Sequence, residues 1–345
     1  MGTYVPRVEG EKEMPIVYLV VPCYNEEAVL PETIKRLTVK LHKLVKAGKA
    51  SPESRMLFVD DGSKDTTWNI IEQYSSTNPY VAGLKLSRNR GHQNALLAGL
   101  MTAKNYCDCA ISLDADLQDD IEVLGEFLER YAEGCEVVYG VRSSRDTDTA
   151  FKRSTARSYY KFMKALGVEI VYDHADYRLM GKRALEALAE YKEVNLFLRG
   201  IVPLIGFRSD YVYYQRNERF AGESKYPLKK MIRFAMDGIT SFSVKPLQII
   251  SNVGIIICLL SIIFFIYALV SLFSGSSVAG WASLMCSLWF LGGLQMLCIG
   301  IVGSYVGRIY SETKHRPRFL IDRLIISGKT LPEDRPDPSE TDSSN

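Results

Sequence analysis

The chain has 345 residues and a formal net charge of +2 at pH 7, so it exceeds one typical domain and lacks the positive field that draws a protein to nucleic acid. Its seven cysteines form no CxxC pair and are odd in number, which argues against a zinc site and against a disulfide framework. We therefore predict a protein of a reducing compartment that binds no nucleic acid.

Short apolar runs alternate with helical patterns through the first part of the chain. The runs predicted to be strands are residues 16–21, 56–59, 81–86, 110–113 and 136–141. The helical patterns between them include residues 29–45 and 95–104. Strands that alternate with helices in this order predict an α/β domain with a doubly wound, mostly parallel sheet.

Polar residues follow these strands directly. They are Tyr24, Asn25, Glu26, Asp60, Asp61, Asp114, Asp116, Gln118 and Arg142. Ligands bind beyond the carboxyl ends of the strands in such sheets, so we expect these side chains to share one edge. The chain has neither GxGxxG nor a P-loop, so carboxylates and a metal ion would hold a nucleotide, with Asp60 or Asp61 accepting hydrogen bonds from a base or a ribose. The alternative is that residues 60–63 form an ordinary capped turn.

The fourth predicted strand runs into the sequence SLDADLQDD. Asp114, Asp116 and Gln118 alternate there, so their oxygens can converge on one point. Such a set suits a hard divalent cation, Mg²⁺ or Mn²⁺. The alternative is that Asp119 and Asp120 simply cap the next helix.

Two almost uninterrupted apolar runs, residues 247–273 and 281–306, are each long enough to cross about 30 Å of hydrocarbon, and we predict two transmembrane helices. Basic residues flank them, namely Lys229, Lys230, Arg233, Lys245, Arg308, Lys314, Arg316, Arg318 and Arg323. The connecting loop carries no charge, so the positive-inside rule predicts an inner-membrane protein with the large domain and both termini in the cytoplasm.

Residues 227–246 combine a broad apolar face with lysines and an arginine, which predicts an amphipathic helix on the bilayer surface. The alternative is a helix packed on the catalytic domain. The predicted division is a tail at 1–14, a catalytic domain at 15–226, the helix at 227–246, spans at 247–273 and 281–306, a cytoplasmic segment at 307–327, and a disordered tail at 328–345.

The motifs VPCYNEE, VDDGSKDTT and LDADLQDD occur here in an order that resembles the inverting glycosyltransferases of family 2, which have the Rossmann-like GT-A fold. Downstream, NRGHQNALLAG, DYRLMGKRA and RFAGESKYPLKK resemble the polyprenyl-phosphate subgroup, which includes bactoprenol glucosyltransferases and relatives of dolichyl-phosphate mannose synthase. The resemblance covers roughly residues 15 to 320.

This resemblance implies transfer of a sugar, with inversion, from a nucleoside-diphosphate sugar to polyprenyl (undecaprenyl) phosphate in a lipid bilayer. UDP-glucose is the favoured donor. Asp116 and Gln118 would ligate Mg²⁺ or Mn²⁺ with Asp114 nearby, and Asp114, Asp116 and Asp176 would be the catalytic set. The predicted nucleotide-sugar contacts are Pro22, Tyr24, Glu26, Val59, Asp60, Asp61, Asp114, Ala115, Arg219 and Lys225.

The acceptor phosphate is already an anion and needs cations to position it. Arg142, Arg153 and Arg157 are the candidates, with Lys152 beside them; the alternative for Arg153 and Arg157 is a solvated helix face. Asp176 would orient another side chain or the substrate, accept a hydrogen bond from a sugar hydroxyl, or act as a base. The alternative is that it only forms a turn. His92 is either a base or a structural residue.

Two other classes of protein would have the same nucleotide-binding part of the catalytic domain. A processive polysaccharide synthase is disfavoured because the chain has no QxxRW and two helices cannot enclose a pore. An inactive nucleotide-sugar-binding scaffold is disfavoured because the acidic positions and the basic loop occur together. The small residues Gly292, Gly293, Gly300 and Gly303 favour a homo-oligomer.

Overall fold

The computed structural model describes residues 14–143, 174–193, 198–215, 245–273, 280–326 and 329–331. Its strands are β1 (Val17–Cys23), β2 (Arg55–Asp60), β3 (Val81–Leu86), β4 (Cys109–Ser112), β5 (Val137–Arg142), β6 (His174–Gly181), β7 (Ser209–Tyr214), β8 (Ile321–Ile326) and β9 (Lys329–Leu331). Its helices are α1 (Leu30–Lys46), α2 (Thr67–Thr77), α3 (His92–Ala103), α4 (Leu124–Ala132), α5 (Lys182–Glu190), α6 (Leu198–Leu204), α7 (Lys245–Phe273) and α8 (Trp281–Thr313), and a 3₁₀ turn covers Ile121–Val123.

The described strands form one sheet in the order β7-β5-β6-β4-β1-β2-β3-β8-β9. The central strands β4, β1, β2 and β3 are parallel to one another. Of the nine, β6 and β8 run against their neighbours and the other seven share one direction. The prediction of a mostly parallel, doubly wound sheet is therefore confirmed.

Helices cover both faces of the sheet, which is why β1 is an unbroken apolar run. Val17, Leu19 and Val21 pack on the face that carries α1, α2 and α4. Tyr18 and Val20 pack on the opposite face, against α3, α5 and α6. The strand β1, which leads to the carboxyl edge, is thus buried on both faces.

The helix α3 begins at His92, earlier than the predicted residue 95. Gly91 precedes it with φ of 87°, a backbone conformation that favours glycine and allows the chain to turn directly into the helix. The start of α3 therefore lies at the carboxyl edge of the sheet, and His92 is its first residue.

The chain after α8 returns to the sheet. The strand β8 pairs antiparallel with β3, and β9 pairs with β8. At Lys329–Leu331 the structure has a strand where disorder was expected from residue 328, and β8 lies within the segment 307–327, whose cytoplasmic location stays a prediction. The physical reason is that β3 would otherwise leave an unpaired edge, and the apolar Ile325 is buried against the core when β8 covers it.

Both predicted apolar runs are helical, as α7 and α8. Among the described residues, one stretch, Phe290–Thr313, is long and apolar enough to cross a membrane, and a shorter apolar stretch covers Leu247–Ile257. The predicted juxtamembrane helix at 227–246 lies outside the described residues except for its last two positions, which open α7.

Replacing Gly99 by alanine should lower the free energy of unfolding by about 1–3 kcal/mol, because the new Cβ would clash with Val20 Cγ1 and lie 2.7 Å from Val59 Cγ2, where α3 packs on the sheet. Thermal unfolding of the purified full chain measures this. The matched control is Gly125→Ala in α4, where the added Cβ meets nothing closer than 3.5 Å, so it should be neutral or stabilising by up to about 1 kcal/mol. Equal unfolding temperatures for the two variants would contradict the close packing.

Candidate active site

The loops that follow β1 and β2 are joined to each other by hydrogen bonds. Asn25 N donates to Ser63 Oγ at 3.0 Å, and Lys64 N donates to Asn25 Oδ1 at 2.9 Å. Glu26 N donates to Thr67 Oγ1 at 2.9 Å. Asn25 has φ of 55°, a conformation that asparagine tolerates better than most residues. The two loops therefore form one surface at the carboxyl edge, on which Tyr24 is exposed.

Asp60 and Asp61 are buried at the end of β2, and burial raises the pKa of each carboxyl. Asp61 accepts hydrogen bonds from the backbone N–H groups of Arg90 and Gly91, at 2.7 and 2.8 Å, so it holds the loop that leads to His92. Asp60 Oδ1 accepts from Ser63 N at 3.0 Å, while its Oδ2 is buried without a hydrogen-bond partner among the described residues. The capped turn predicted as the alternative thus forms, and nucleotide contact by either carboxylate stays a prediction.

Residues 113–120, hereafter the acidic loop, follow β4 in a tightly specified conformation. Leu117 has φ of 58°, a strained conformation for leucine that is typical of functional turns. Gln118 N donates to Asp116 Oδ1 at 3.2 Å, and the Ala115 carbonyl accepts from Thr33 Oγ1 of α1 at 2.8 Å. Asp120 accepts from Glu122 N, which is the predicted capping interaction, so the cap and the proposed cation site coexist.

The oxygen donors of the acidic loop are of the type that a magnesium-like ion prefers, and the cation site stays a prediction. No three His, Cys, Asp or Glu side chains are arranged to hold a metal among the residues that the structure describes. The side chains of Asp116 and Gln118 are each partly exposed, with Asp114 nearby in the sequence. Two or three protein oxygens leave room for water and phosphate, which is how Mg²⁺ is commonly held at phosphate sites.

Asp114 lies where several carboxylates meet. Burial in this concave edge, with Asp119, Asp176 and Asp116 nearby, raises its pKa to about 6, while His92 opposes the rise. Its side chain still contacts solvent, being 41% exposed. A cation or a positively charged side chain beside it would favour the ionised form.

Asp176 lies within β6 instead of forming a turn, and two arginines surround its carboxylate. Arg178 Nη2 donates to Oδ1 at 2.7 Å, Arg199 Nε to Oδ1 at 3.2 Å, and Arg199 Nη2 to Oδ2 at 3.2 Å. Burial alone would raise the pKa of this carboxyl, but the neighbouring His92 and the charges of Arg199 and Arg178 hold it well below its usual range. So low a pKa disfavours the role of base and supports that of an ionised orienting group.

His92, the first residue of α3, lies between two of the candidate carboxylates. Its Nε2 is 3.7 Å from Asp114 Oδ1 and 3.6 Å from Asp176 Oδ2. Although burial opposes it, the nearby carboxylates of Asp176 and Asp114 raise the pKa of the imidazole. His92 therefore belongs to the site, within 4 Å of both carboxylates.

Arg142, at the end of β5, lies beside the acidic loop. Its Nη2 is 4.0 Å from Asp119 Oδ1, and the same oxygen accepts from Tyr214 Oη at 2.6 Å. Asp119 is buried, while about a third of the Arg142 side chain is exposed. A cation predicted to bind the acceptor phosphate is thus close to the acidic loop predicted to bind the donor.

The predicted site residues divide into three groups. Those brought to the carboxyl edge with exposed side-chain surface are Tyr24, Glu26, Asp114, Asp116, Gln118, Arg142 and Asp176. Those buried beneath it are Pro22, Val59, Asp60, Asp61 and Ala115. Those outside the described residues are Lys152, Arg153, Arg157, Arg219 and Lys225.

Sequence reasoning missed Arg178 and Arg199 and left His92 undecided. Arg178 is two residues after Asp176 in the sequence, so it could have been predicted as a partner of this candidate carboxylate. Arg199 gave no such signal, because it is 23 residues further along the chain and reaches Asp176 only through the fold.

A mostly parallel sheet with an acidic loop and an arginine at its carboxyl edge defines an α/β enzyme suited to a phosphorylated substrate. The profile of glycosyl transferase family 2 matches residues 18–189, and this chain belongs to that family of glycosyltransferases.

Curated relatives match over nearly the whole chain. The uncharacterized glycosyltransferase YkoT of Bacillus subtilis is 53% identical over 94% of this chain and 96% of its own length. The prophage bactoprenol glucosyl transferase homolog of Escherichia coli is 39% identical over 89% and 99%. The bactoprenol glucosyl transferase of Shigella phage SfV is 38% identical over 88% and 97%.

Proposed function

We propose that the enzyme transfers a hexose, with glucose favoured, from a UDP-sugar to a membrane polyprenyl phosphate with inversion. The observation that carries the proposal is the position of Arg142 beside Asp119 of the acidic loop, at the carboxyl edge of a family 2 catalytic sheet. The bactoprenol glucosyl transferases that resemble this chain over most of its length support the acceptor and the sugar. UDP is favoured over GDP on the resemblance of the RFAGESKYPLKK segment to those enzymes.

In this reaction an oxygen of the acceptor phosphate attacks C1 of the sugar from the face opposite the leaving group. The C1–O bond to the diphosphate breaks, UDP departs with the bonding pair, and the new glycosidic phosphate has the inverted configuration. The attacking phosphate is already ionised, so no proton needs to be removed. The low pKa of the Asp176 carboxyl agrees with a mechanism that requires no strong base.

The chemistry of the leaving group accounts for the acidic loop. Asp116 and Gln118, with Asp114, would hold Mg²⁺ or Mn²⁺, which when bound supplies a Lewis acid that neutralises the diphosphate. The hydrogen bond from Gln118 N to Asp116 Oδ1 and the anchoring of Ala115 by Thr33 fix the positions of these ligands. The tight loop thereby reduces the reorganisation needed when the donor binds.

The apolar helices support a membrane location. We propose that α7 and α8 both span the inner membrane and that the catalytic domain is cytoplasmic. The return of the chain from α8 to the catalytic sheet through β8 agrees with this, because both ends of the helix pair would then lie on the catalytic side. At Gly292, Gly293, Gly300 and Gly303, no described atom lies within 4 Å of where a Cβ would be, so this surface is open to a second copy, as a homo-oligomer requires.

The decisive assay incubates membranes containing the full chain with radiolabelled UDP-glucose and, in parallel, other UDP- and GDP-sugars. Label in chloroform-extractable, mild-acid-labile lipid is the expected result. Label in insoluble polymer would instead establish a processive synthase, and absence of transfer with every donor would establish an inactive scaffold. A chelator should abolish the transfer, and added Mn²⁺ or Mg²⁺ should restore it.

Replacing Arg142 by alanine should raise the KM for polyprenyl phosphate by about tenfold or more, because a charge-assisted hydrogen bond to the phosphate is lost. Steady-state kinetics with varied acceptor at saturating donor measure this. Arg130→Ala is the matched control, since Arg130 lies on α4 and pairs with Glu133 and Asp210, away from the acidic loop. An unchanged acceptor KM in the Arg142 variant would remove this residue from the acceptor site.

A further inference from the structure

Side chains from three other parts of the chain lie around Asp176 of β6, beside the residues proposed to bind the cation and the acceptor. Asp114 comes from the acidic loop, His92 from the start of α3, and Arg199 from α6. Neither neutralisation of the leaving group nor binding of the acceptor at Arg142 requires His92 or Arg199. These two side chains need another explanation.

Asp176 acts in this group as an anchor. Both of its oxygens accept hydrogen bonds from guanidinium groups, and its side chain is only 11% exposed. Arg178 is almost fully buried and its Nη1 donates to the Leu198 carbonyl, which ties the start of α6 to β6. Asp176 therefore fixes the position of Arg199, the residue that follows Leu198, and does not itself face the substrate.

Like Asp114, His92 and Arg199 keep part of their side-chain surface exposed. Their side chains are 45% and 36% exposed, respectively, although each lies against the Asp176 carboxylate. The His92 loop is held in turn by Asp61, through the backbone N–H groups of Arg90 and Gly91. Two nitrogen-bearing side chains thus lie against a buried carboxylate and keep part of their surface exposed, which is the arrangement of a preorganised binding surface.

The charges of the group favour a neutral polyol over a second anion. Phosphate at this position would meet the partly exposed carboxylate of Asp114, and like charges at short range repel. Sugar hydroxyls both donate and accept, so they suit a surface that combines a partly exposed carboxylate, Asp114, with the N–H groups of His92 and Arg199. Asp114 is two residues from Asp116, so this surface would adjoin the diphosphate.

We propose that His92, Arg199 and Asp114 form the subsite that holds the transferred sugar and discriminates the configuration of its hydroxyls, with Asp176 as the positioning residue. The proposal rests on the proposed function, since it needs a sugar donor at this edge. It adds two residues that determine donor specificity.

Donor binding without acceptor tests the subsite. The full chain in detergent micelles with Mg²⁺ is titrated with UDP, UDP-glucose and UDP-galactose, and with GDP and GDP-mannose, by calorimetry. In His92→Gln and Arg199→Lys we expect the affinity for the preferred nucleotide sugar to fall by about tenfold, with free nucleotide bound within about twofold of wild type. The ratio of the affinities for UDP-glucose and UDP-galactose should also move closer to one in these variants. His42→Gln on the exposed surface of α1 and Arg183→Lys on α5 are matched controls that should change none of these affinities.

Several results would overturn the subsite. One is that the wild-type protein binds every nucleotide sugar with the same affinity as the corresponding free nucleotide. Another is that both variants keep wild-type affinity for every ligand. A third is that the variants lose affinity for free nucleotide and for nucleotide sugar to the same extent. Thermal unfolding of each variant identifies a loss caused by misfolding, and His92→Asn then replaces His92→Gln. The proposed function fails separately, if the wild-type enzyme binds the donor sugar but transfers nothing to polyprenyl phosphate.

Discussion

Replacing Asp116 by asparagine should reduce kcat/KM for sugar transfer by at least about 100-fold while leaving the fold unchanged. Asparagine keeps the Oδ1 that accepts from Gln118 N at 3.2 Å, so the acidic loop retains its conformation. What disappears is the negative charge that would hold the divalent cation against the diphosphate. A higher Mn²⁺ concentration should partly restore kcat/KM, because the substitution weakens the affinity for the metal ion.

The measurement is transfer of radiolabelled sugar to polyprenyl phosphate over a range of Mn²⁺ and Mg²⁺ concentrations. Asp322→Asn is the matched control, since Asp322 lies exposed on β8 and undergoes the same chemical change away from the acidic loop. Wild-type activity of the Asp116 variant at ordinary Mg²⁺ would show that this carboxylate is not a metal ligand. Loss of activity together with a lowered unfolding temperature would instead indicate a structural role.

Replacing Asp176 by asparagine should have the largest effect on stability, a decrease of about 3–5 kcal/mol in the free energy of unfolding. The substitution removes the charge that compensates Arg178, whose side chain is 1% exposed and has no access to water. Without its carboxylate, the buried guanidinium would bear the full free-energy cost of desolvation. Burial already lowers the pKa of Arg178 even with the carboxylate present. Activity should fall as well, because Arg199 loses the partner that positions it.

Chemical denaturation of the full chain in detergent measures this effect, and a double-mutant cycle with Arg178→Met isolates the pair. The double variant should be more stable than the sum of the single changes predicts, because methionine leaves no unpaired charge. Glu129→Gln, which breaks the exposed pair with Lys49, is the control and should leave the transition almost unchanged. Strict additivity in the cycle would contradict the buried ion pair.

The effect of Asp176 should also depend on pH. Its carboxyl has a lower pKa in the folded protein than the ordinary value near 3.8, so folding favours the ionised form. Its contribution to stability is therefore complete above the pKa of the unfolded chain and declines as the pH falls toward the folded value. The stability difference between wild type and Asp176→Asn should accordingly shrink as the pH falls below about 4.

Much of the fold was predictable from local pattern. The apolar runs of β1 to β5 are continuous because both faces of the sheet are covered, and the helices between them show the spacing of one buried face. The strand β8 was not predicted, because Ile321–Ile326 is a short mixed segment whose identity as a strand depends on the edge of β3. Pairing over more than 200 positions of sequence is a property of the tertiary structure.

The candidate site divides in the same way. The amino-acid sequence by itself determined which polar residues follow the strands, because in a parallel sheet those positions must share one edge; Asp114, Asp116 and Arg142 were found for this reason. Only the tertiary structure decided that Asp61 supports a loop, that Asp176 is held by Arg178 and Arg199, and that His92 lies between two carboxylates. Burial, hydrogen-bond partners and pKa arise from contacts between distant segments, and the residue types at single positions do not encode them.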